Sequence, residues 1–456
     1  MTETVTNENS KINFTNKQLA KLIWPLMVEQ FLSIAVGLSD SMMVAQVGDA
    51  SVSAVSLVDS ISVFMVYVFS AMAAGGAAVC GQFIGRKKIE DARRSGQHLI
   101  ILMTIISVAV TLLMYVFRSF ILTHLFGQID ADVMLATDKY YTIVMAAVPG
   151  IALYNAGAAL FRAMERTDMT LKVSLVMNAI NVGGNAVLIF IFKLDVAGVA
   201  IPTLVSRWVA AGLILCLLLN KKYVLRITGI KGFKYNGMIM KNIFRIGVPG
   251  GVENGMFQLG KIILVSLVST MGTTSITANA IGNTIAPLQV FQGFAVNLAM
   301  TTVISQCIGA GAYDKAKYYL KKLMLITYGL NIIIITTLLL LIPVILNLYG
   351  VSPEAADLAR KLMLIHGISA MVLWVPSFML PNFLRAAGDA GYPMIVSSIC
   401  MWAGRIGFSY LFCRGFGMDL TAVWFSQTLI DWGGRIVCFI IRYKRGKWMS
   451  KGIKVV

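Results

Sequence analysis

Nine ionisable side chains lie within long apolar stretches of this 456-residue sequence. They are Glu29, Asp40, Asp59, Arg207, Glu253, Lys261, Arg405, Asp431 and Arg435. If these stretches cross a membrane, each charge costs about 2.5 to 3.5 kcal/mol to insert, so residues of this kind are expected to have a function. A carboxylate placed there can bind and release a proton or a sodium ion, and a basic group beside it can neutralise it.

The composition indicates that these stretches do cross a membrane. Hydrophobic residues make up 57% of the chain, charged residues only 13%, and the mean hydropathy is +0.77. A soluble protein is about half apolar and a quarter charged, so a large water-soluble protein is excluded. A membrane-spanning helix uses about 20 mostly apolar residues. Twelve such stretches fall near residues 19–45, 54–80, 97–117, 133–157, 170–192, 197–219, 246–271, 276–304, 323–348, 360–383, 393–413 and 418–441.

The basic residues orient these spans. With the N-terminus inside, 29 of the 39 Lys and Arg residues fall in cytoplasmic segments, six on the other face and four within spans. The positive-inside rule therefore predicts that both termini are cytoplasmic. The basic loops at 85–94, 221–234 and 442–451 are expected to face anionic lipid, which accounts for the net charge of +18. Because these charges are dispersed among short loops, nucleic-acid binding is not expected.

The apolar spans and the basic segments divide the chain into five parts. The first 18 residues are polar and are followed by a full-length span, so no cleavable signal peptide is expected. We predict a cytoplasmic tail at 1–18, an N-terminal lobe at 19–219, a basic linker at 220–245, a C-terminal lobe at 246–441 and a basic tail at 442–456.

The sequence offers little evidence for disulfides, metal sites or enzymatic catalysis. Six cysteines are scattered singly, and none of the three histidines has a second ligand at metal spacing. We therefore expect no disulfide, zinc or haem, and no cofactor beyond a bound proton or sodium ion. The absence of a Ser/His/Asp constellation or a Walker loop argues against an enzyme and an ATP-driven pump.

An internal repeat organises the two halves. At an offset of 224, residues 25–94 align with 249–318 without a gap, pairing Pro25 with Pro249 and Gly48 with Gly272. The offset spans six helices, so both halves cross the membrane in the same sense. We predict an all-α membrane protein with two six-helix lobes in a parallel pseudo-twofold repeat. Such repeats enclose a cavity and alternate its access, which is typical of a secondary transporter.

Several motifs resemble a known family. The stretch at 25–54 resembles the first helix of multidrug and toxic compound extrusion (MATE) transporters, with a proline, an acidic residue and a Ser-Asp run leading into a glycine. GQFIGRKKIEDARR and SQCIGAGAYDKAKYY resemble the Q-x-I-G loops after the second and eighth helices. RAMERTDM and RAAGDAGYPM resemble the Arg-containing loops after the fourth and tenth. The loop at 82–85 lacks the Asp-Arg pair of the rival major facilitator family.

The resemblance assigns a coupling site. In MATE transporters an Asp at the position of Asp40 takes up H⁺ or Na⁺, and a cation site often joins it to the equivalents of Asn181, Asn185 and Thr203. Asn181 and Asn185 are four apart, hence on one helical face, and the topology places Asn185 and Thr203 level with Asp40. Asn185 often is Asp in the family, and a single carboxylate suffices for a proton. Alternatively, Asp40 only caps or pairs near a helix end, and the asparagines hydrogen-bond between helices.

The seventh span carries a second polar group. Glu253, Asn254, Gln258 and Lys261 are predicted to look into a water-filled cavity, where they are candidates for substrate contact or coupling. Family members often have a glutamate on this helix, although further from the proline. Alternatively, Lys261 neutralises Glu253. Glu29, the repeat counterpart of Glu253, is expected to line the inner part of the cavity.

The remaining in-span charges have simpler interpretations. Asp431 and Arg435 are spaced i, i+4, and a mutual salt bridge is predicted. Arg207 and Arg405 have no partner that spacing can assign.

The leading hypothesis is a monomeric transporter in the plasma or inner membrane. It would export small molecules, cationic and amphipathic ones above all, in exchange for H⁺ or Na⁺. The runner-up is a lipid-linked oligosaccharide flippase of the same superfamily, although such proteins usually add two helices and a strongly cationic cavity. A sensor or scaffold without transport does not account for the in-span acids.

Overall fold

The computed structural model describes residues 12–125, 127, 130–227 and 233–453. The predicted tails at 1–18 and 442–456 and the predicted linker at 220–245 lie partly outside these residues. All regular structure in the described ranges is helical.

The first half of the chain forms helices that match its six predicted spans. They are α1 (Asn16–Ala45), α2 (Asp49–Gly85), α3 (Ile89–Val116), α4 (Arg118–Phe120), α5 (Ala131–Met145), α6 (Val148–Ala163), α7 (Thr167–Ala186) and α8 (Ala197–Leu219). Pro149 stands in the first turn of α6, where its missing N–H leaves no hydrogen bond unmade, and α5 and α6 meet at a 40° bend.

The second half is more interrupted. Its helices are α9 (Gly237–Ser269), α10 (Thr273–Gly309), α11 (Tyr313–Leu340), α12 (Ile342–Tyr349), α13 (Pro353–Ser369), α14 (Val375–Ala386), α15 (Gly391–Ile399), α16 (Phe408–Tyr410), α17 (Leu420–Phe425) and α18 (Trp432–Lys444). Wider π-helical segments continue several helices in both halves, at Ile121–Leu125, Val187–Ile191, Ala370–Trp374, Cys400–Gly407, Leu411–Gly415 and Ser426–Asp431, and a 3₁₀ helix covers Lys447–Ser450.

Within the described ranges, nine helices are long and apolar enough to cross a membrane, and the bent α5–α6 pair makes ten. The other two predicted spans lie on α9 and on the stretch from α17 to α18. Both are less apolar because they carry Glu253 and Lys261 or Asp431 and Arg435. Each predicted apolar stretch therefore lies on helical segments, and the predicted all-α membrane fold is confirmed.

The helix boundaries reproduce the internal repeat. The bounds of α2 and α10 differ by 224 residues at both ends, as do those of α3 and α11. The paired glycines precede α2 and α10 with positive φ, 125° at Gly48 and 89° at Gly272. A residue with a β-carbon rarely adopts such angles, which explains why both repeats have glycine there.

The chain divides into two compact units. One comprises Asn16–Gly251, so that it contains α1 to α8 and the first part of α9. The other comprises Val252–Lys454, and the segment before α1 belongs with it. The Phe14 N–H accordingly donates to the Tyr319 hydroxyl at 2.6 Å.

In the unit of residues 16–251, α1 packs on α7, α7 on α8, and α2 on α5 and α6. These contacts bring one face each of α1, α2, α5, α7 and α8 toward a common interior. In the unit of residues 252–454, α10 lies at the centre and packs on α11, α13 and α14. Its Gly293 faces the Trp374 ring, where an added β-carbon would lie 2.2 Å from that ring. Many large apolar side chains outside both interiors are exposed, as expected for helices surrounded by lipid.

Candidate functional site

Asp40 lies near the C-terminal end of α1, on the side that packs on α7. Its Oδ1 accepts a hydrogen bond of 2.7 Å from the Asn185 amide. Asn185 is fully buried, and its own Oδ1 has no hydrogen-bond partner among the described residues. This oxygen can therefore accept a further hydrogen bond or contact a cation.

The Asn181 amide lies between Asp40 and Thr203, one helical turn before Asn185. With its nitrogen toward Asp40, it donates to both carboxylate oxygens at 3.1 Å, and its oxygen accepts from the Thr203 hydroxyl at 3.2 Å. Turned by 180°, its nitrogen would donate to Thr203 and its oxygen would face Asp40, an arrangement that satisfies the amide only when that carboxyl group carries a proton. The amide can therefore present either a donor or an acceptor to the carboxyl group.

A close approach of two helices sets the distance between these partners. Gly184 of α7 faces Pro202 of α8, and a β-carbon added at Gly184 would lie 2.8 Å from the proline ring. Each of the two residues adjoins a site residue, Asn185 and Thr203 respectively. Because a proline ring cannot turn aside, only glycine lets α7 and α8 approach closely enough for Asn181 to reach Thr203.

Asp40 and Thr203 line a cavity of about 120 Å³, which has room for several water molecules. Asp59 of α2, Tyr140 of α5 and Arg207 of α8 line it as well. The Tyr140 hydroxyl donates to Asp59 Oδ1 at 3.2 Å. The cavity thus joins two of the four predicted cation ligands to a second carboxylate and a guanidinium.

The polar residues of α9 have other partners than expected. Glu253 pairs with Arg385 of α14, with 2.6 Å between Oε1 and Nη2. Lys261 does not neutralise Glu253, because its ammonium lies over the Phe257 ring, 5.4 Å from the centroid. The Arg405 guanidinium lies over the same ring at 4.9 Å. Asn254 and Gln258, between them on the helix, are half-buried.

A buried ion triad accounts for three further charges in the unit of residues 252–454. Asp431 is fully buried and pairs with Arg435 at 2.5 Å, which confirms the predicted i, i+4 salt bridge. It also pairs with Arg405 at 2.6 Å, which sequence spacing could not assign. Every oxygen of this carboxylate therefore has a charged partner, as a structural ion pair in a membrane requires.

Glu29 lies in the unit of residues 16–251, where we expected a position on the inner cavity. It is buried, only 8% exposed, between α1, α6 and α7. Its carboxylate accepts from the Thr170 hydroxyl at 2.9 Å and from the Tyr154 hydroxyl at 3.4 Å. The structure thus places it in a hydrogen-bonded helix interface rather than on an open surface.

Comparison with known families decides what kind of protein this is. The family model MatE matches residues 25–187 and again residues 249–411. The chain belongs to the MATE family of transporters. Both ends of the two matches are displaced by 224 residues, which is the offset of the internal repeat. The MATE motif resemblance found in the sequence is thereby confirmed.

Relatives of this MATE transporter align along nearly its whole length. It is 28% identical over 446 residues to the "Uncharacterized transporter YisQ" of Bacillus subtilis (strain 168), covering 95% of each chain. It is 21% identical over 444 residues to the "Probable multidrug resistance protein NorM" of Thermotoga maritima, covering 96% of this chain and 94% of that protein.

Solved structures show that the MATE fold is shared. The structure titled "Crystal structure of MATE in complex with MaL6" matches with a TM-score of 0.88 and 20% identity, covering 95% of this chain and 97% of that one. A MOP superfamily transporter from Pyrococcus furiosus, described as having a binding pocket of reverse polarity, matches with a TM-score of 0.87 and 20% identity, covering 95% and 96%.

Within this MATE transporter, the structure brings Asp40, Asn181, Asn185 and Thr203 into one network. Glu253 and Lys261 belong to the other unit. Sequence reasoning gave no role to Asp59 or Arg207 and overlooked Tyr140. One signal could have identified Arg207, since it follows Thr203 by four residues and so occupies the same face of α8.

Proposed function

We propose that this MATE transporter exports small molecules in exchange for a cation, H⁺ or Na⁺, that binds at Asp40 with Asn181, Asn185 and Thr203. The observation that carries the proposal is that two amides of α7, Asn181 and Asn185, contact one carboxylate within a span, and that Thr203 of α8 bonds to the first of them. Amide and hydroxyl oxygens are hard ligands that suit a sodium ion, and a carboxylate is the simplest acceptor for a proton.

The two orientations of Asn181 match the two states of a proton site. When Asp40 is ionised, the amide nitrogens of Asn181 and Asn185 both donate to it. When Asp40 is protonated, its O–H needs an acceptor, which Asn181 supplies by turning its oxygen toward Asp40 and its nitrogen toward Thr203. The network can therefore accommodate either state without an unpaired group at Asp40.

Cation binding drives transport by shifting a conformational equilibrium. The site joins α1 to α7 and α8, so occupancy changes the hydrogen bonds between these helices. A ligand shifts an equilibrium only as far as its affinities for the two states differ. We infer that the occupied site favours the conformation that releases substrate outside, and that the empty site favours loading from the cytoplasm.

Multidrug-resistance names among the relatives support a small-molecule substrate, with amphipathic cations as the first class to test. The chain contains 26 methionines and 23 phenylalanines, side chains whose soft surfaces adapt to ligands of different shape.

The proposal is tested in proteoliposomes with ethidium as the cationic probe and a neutral dye beside it. We expect Asp40→Asn to abolish export driven by a proton or sodium gradient. Asp195→Asn is the matched control, because this carboxylate pairs with Lys139 and is more than half exposed. Gradient-driven export that survives in the Asp40 variant, or is lost equally in the control, contradicts the proposal.

A further inference from the structure

A second carboxylate and a guanidinium share the cavity of Asp40. Asp59 enters it from α2 and Arg207 from α8, one turn beyond Thr203. Both residues lie within apolar stretches, where a charge without a partner is expensive. Their presence is not explained by packing, because a leucine or methionine would fill the same volume without that penalty.

Arg207 is close to both carboxylates without being bound to either. Asp40 and Asp59 each interact electrostatically with its guanidinium. Yet among the described residues neither carboxylate forms an ion pair with it within 4.0 Å, and its buried Nη1 has no hydrogen-bond partner. In the other unit, Arg405 and Arg435 both pair tightly with Asp431. Arg207 therefore differs from a structural intramembrane arginine.

The charges facing Asp40 from each surrounding helix can be counted. They are Asp59 from α2 and Arg207 from α8, while α5 contributes the neutral Tyr140 and α7 the neutral amides of Asn181 and Asn185. With both carboxylates ionised, the cavity holds two negative charges and one positive charge. Binding of one monovalent cation makes it neutral, which is the state that a low-dielectric environment favours.

We propose that Asp59 and Arg207 complete the cation site, with Arg207 acting as a resident countercharge that neutralises one of the two carboxylates. The site then takes up one external monovalent cation, although it contains two acids. This inference rests on the proposed function, in which Asp40 binds the cation. Arg207 is positioned to neutralise Asp59 when Asp40 is occupied and to be shared by both carboxylates when it is not.

The charge count predicts a distinct pattern among variants. Asp59→Asn leaves Asp40 and Arg207, a neutral pair that needs no external cation. Asp40→Asn leaves Asp59 and Arg207, which are likewise a neutral pair. Arg207→Gln leaves two carboxylates and calls for two cations. Asp59→Asn combined with Arg207→Gln leaves Asp40 alone, and one cation is again required. Arg207→Lys keeps the charge and is the matched control.

The experiment counts cations bound by each purified variant in detergent, without any transported substrate. Protons taken up between about pH 8.5 and about pH 5.5 are measured with a pH indicator, and sodium is measured with radioactive Na⁺ at the higher pH. Counts are taken relative to the triple variant Asp40→Asn/Asp59→Asn/Arg207→Gln. Size-exclusion chromatography verifies that every variant is folded and monodisperse.

We expect one cation for the wild type and for Arg207→Lys, none for either single carboxamide, two for Arg207→Gln, and one for the double variant. The proton and sodium arms show which ion follows this pattern. If Asp59→Asn and Arg207→Gln each still bind one cation while Asp40→Asn binds none, Asp40 acts alone and this inference is overturned. If Asp40→Asn binds as many cations as the wild type, the proposed function fails as well.

Discussion

Asn185 donates a hydrogen bond of 2.7 Å to Asp40, although the two residues are 145 positions apart in the chain. The resemblance to MATE transporters implies that an Asp often occupies the position of Asn185. The substitution of an amide for a carboxylate supplies Asp40 with a donor and removes one negative charge from the cavity.

Asn185→Asp should change the number of cations that the site requires. An acid at position 185, in addition to Asp40 and Asp59, replaces a hydrogen bond to Asp40 by a repulsion that a cation relieves. We expect tighter sodium binding and a steeper dependence of export on the cation gradient. Sodium-dependent export in proteoliposomes measures the change, with Asn178→Asp, one turn before Asn181 and half-buried, as the control. An unchanged cation dependence at position 185 would argue against a direct role of this residue.

Gly184→Ala should weaken the cation site, although Gly184 itself has no polar side chain in it. The added β-carbon would lie 2.8 Å from the Pro202 ring, so α7 and α8 must separate. Overpacking of this kind costs about 1–3 kcal/mol. We expect a lower unfolding temperature in detergent and weaker cation binding.

Gly183→Ala is the matched control for this prediction, because nothing lies within 4 Å of the corresponding β-carbon. It should keep or slightly raise the stability, since alanine favours helix over glycine. Equal effects of the two substitutions would show that the contact with Pro202 is not what matters.

Asp431→Asn should destabilise the unit of residues 252–454. It leaves Arg405 and Arg435, which are almost fully buried, without their shared counter-ion. Removing one member of a buried ion pair typically costs about 3–5 kcal/mol. We expect a lower yield of folded protein and a lower unfolding temperature, while the ion dependence of the remaining export is unchanged.

The control for this prediction is Asp357→Asn, which breaks an ion pair with Lys361 whose side chains are more than half exposed. Exposed ion pairs contribute little to stability, because water screens both charges, so little change is expected. An Asp431 variant that folds normally but loses its cation dependence would instead place the triad in the coupling machinery.

Much of the fold follows from local patterns in the sequence. Apolar stretches, the offset of 224 and the glycines at positions 48 and 272 anticipate the helices and their repeat. The grouping of Asp40 with Asn185 and Thr203 was expected from the MATE resemblance, and the depth of these residues in their spans agreed with it. Depth and helical face follow from the distance along a helix alone.

Pairings between distant helices could not be obtained this way. Glu253 pairs with Arg385, 132 positions away, and Lys261 on the same helix does not pair with it. Nothing in either residue's local sequence indicates the other, because the rotation of one helix against its neighbour decides which side chains meet. The same reason hid the contact between Tyr140 and Asp59.

The most direct test of cation exchange at Asp40 uses a substrate gradient to drive the cation. Proteoliposomes are loaded with ethidium and placed in dye-free buffer, and proton and sodium fluxes are recorded while the dye leaves. We predict that the dye gradient drives one of these cations in the opposite direction, and that Asp40→Asn abolishes this cation flux while Asp195→Asn does not. Dye movement without any opposing cation flux in the wild type, or an undiminished cation flux in the Asp40 variant, would contradict exchange through this site.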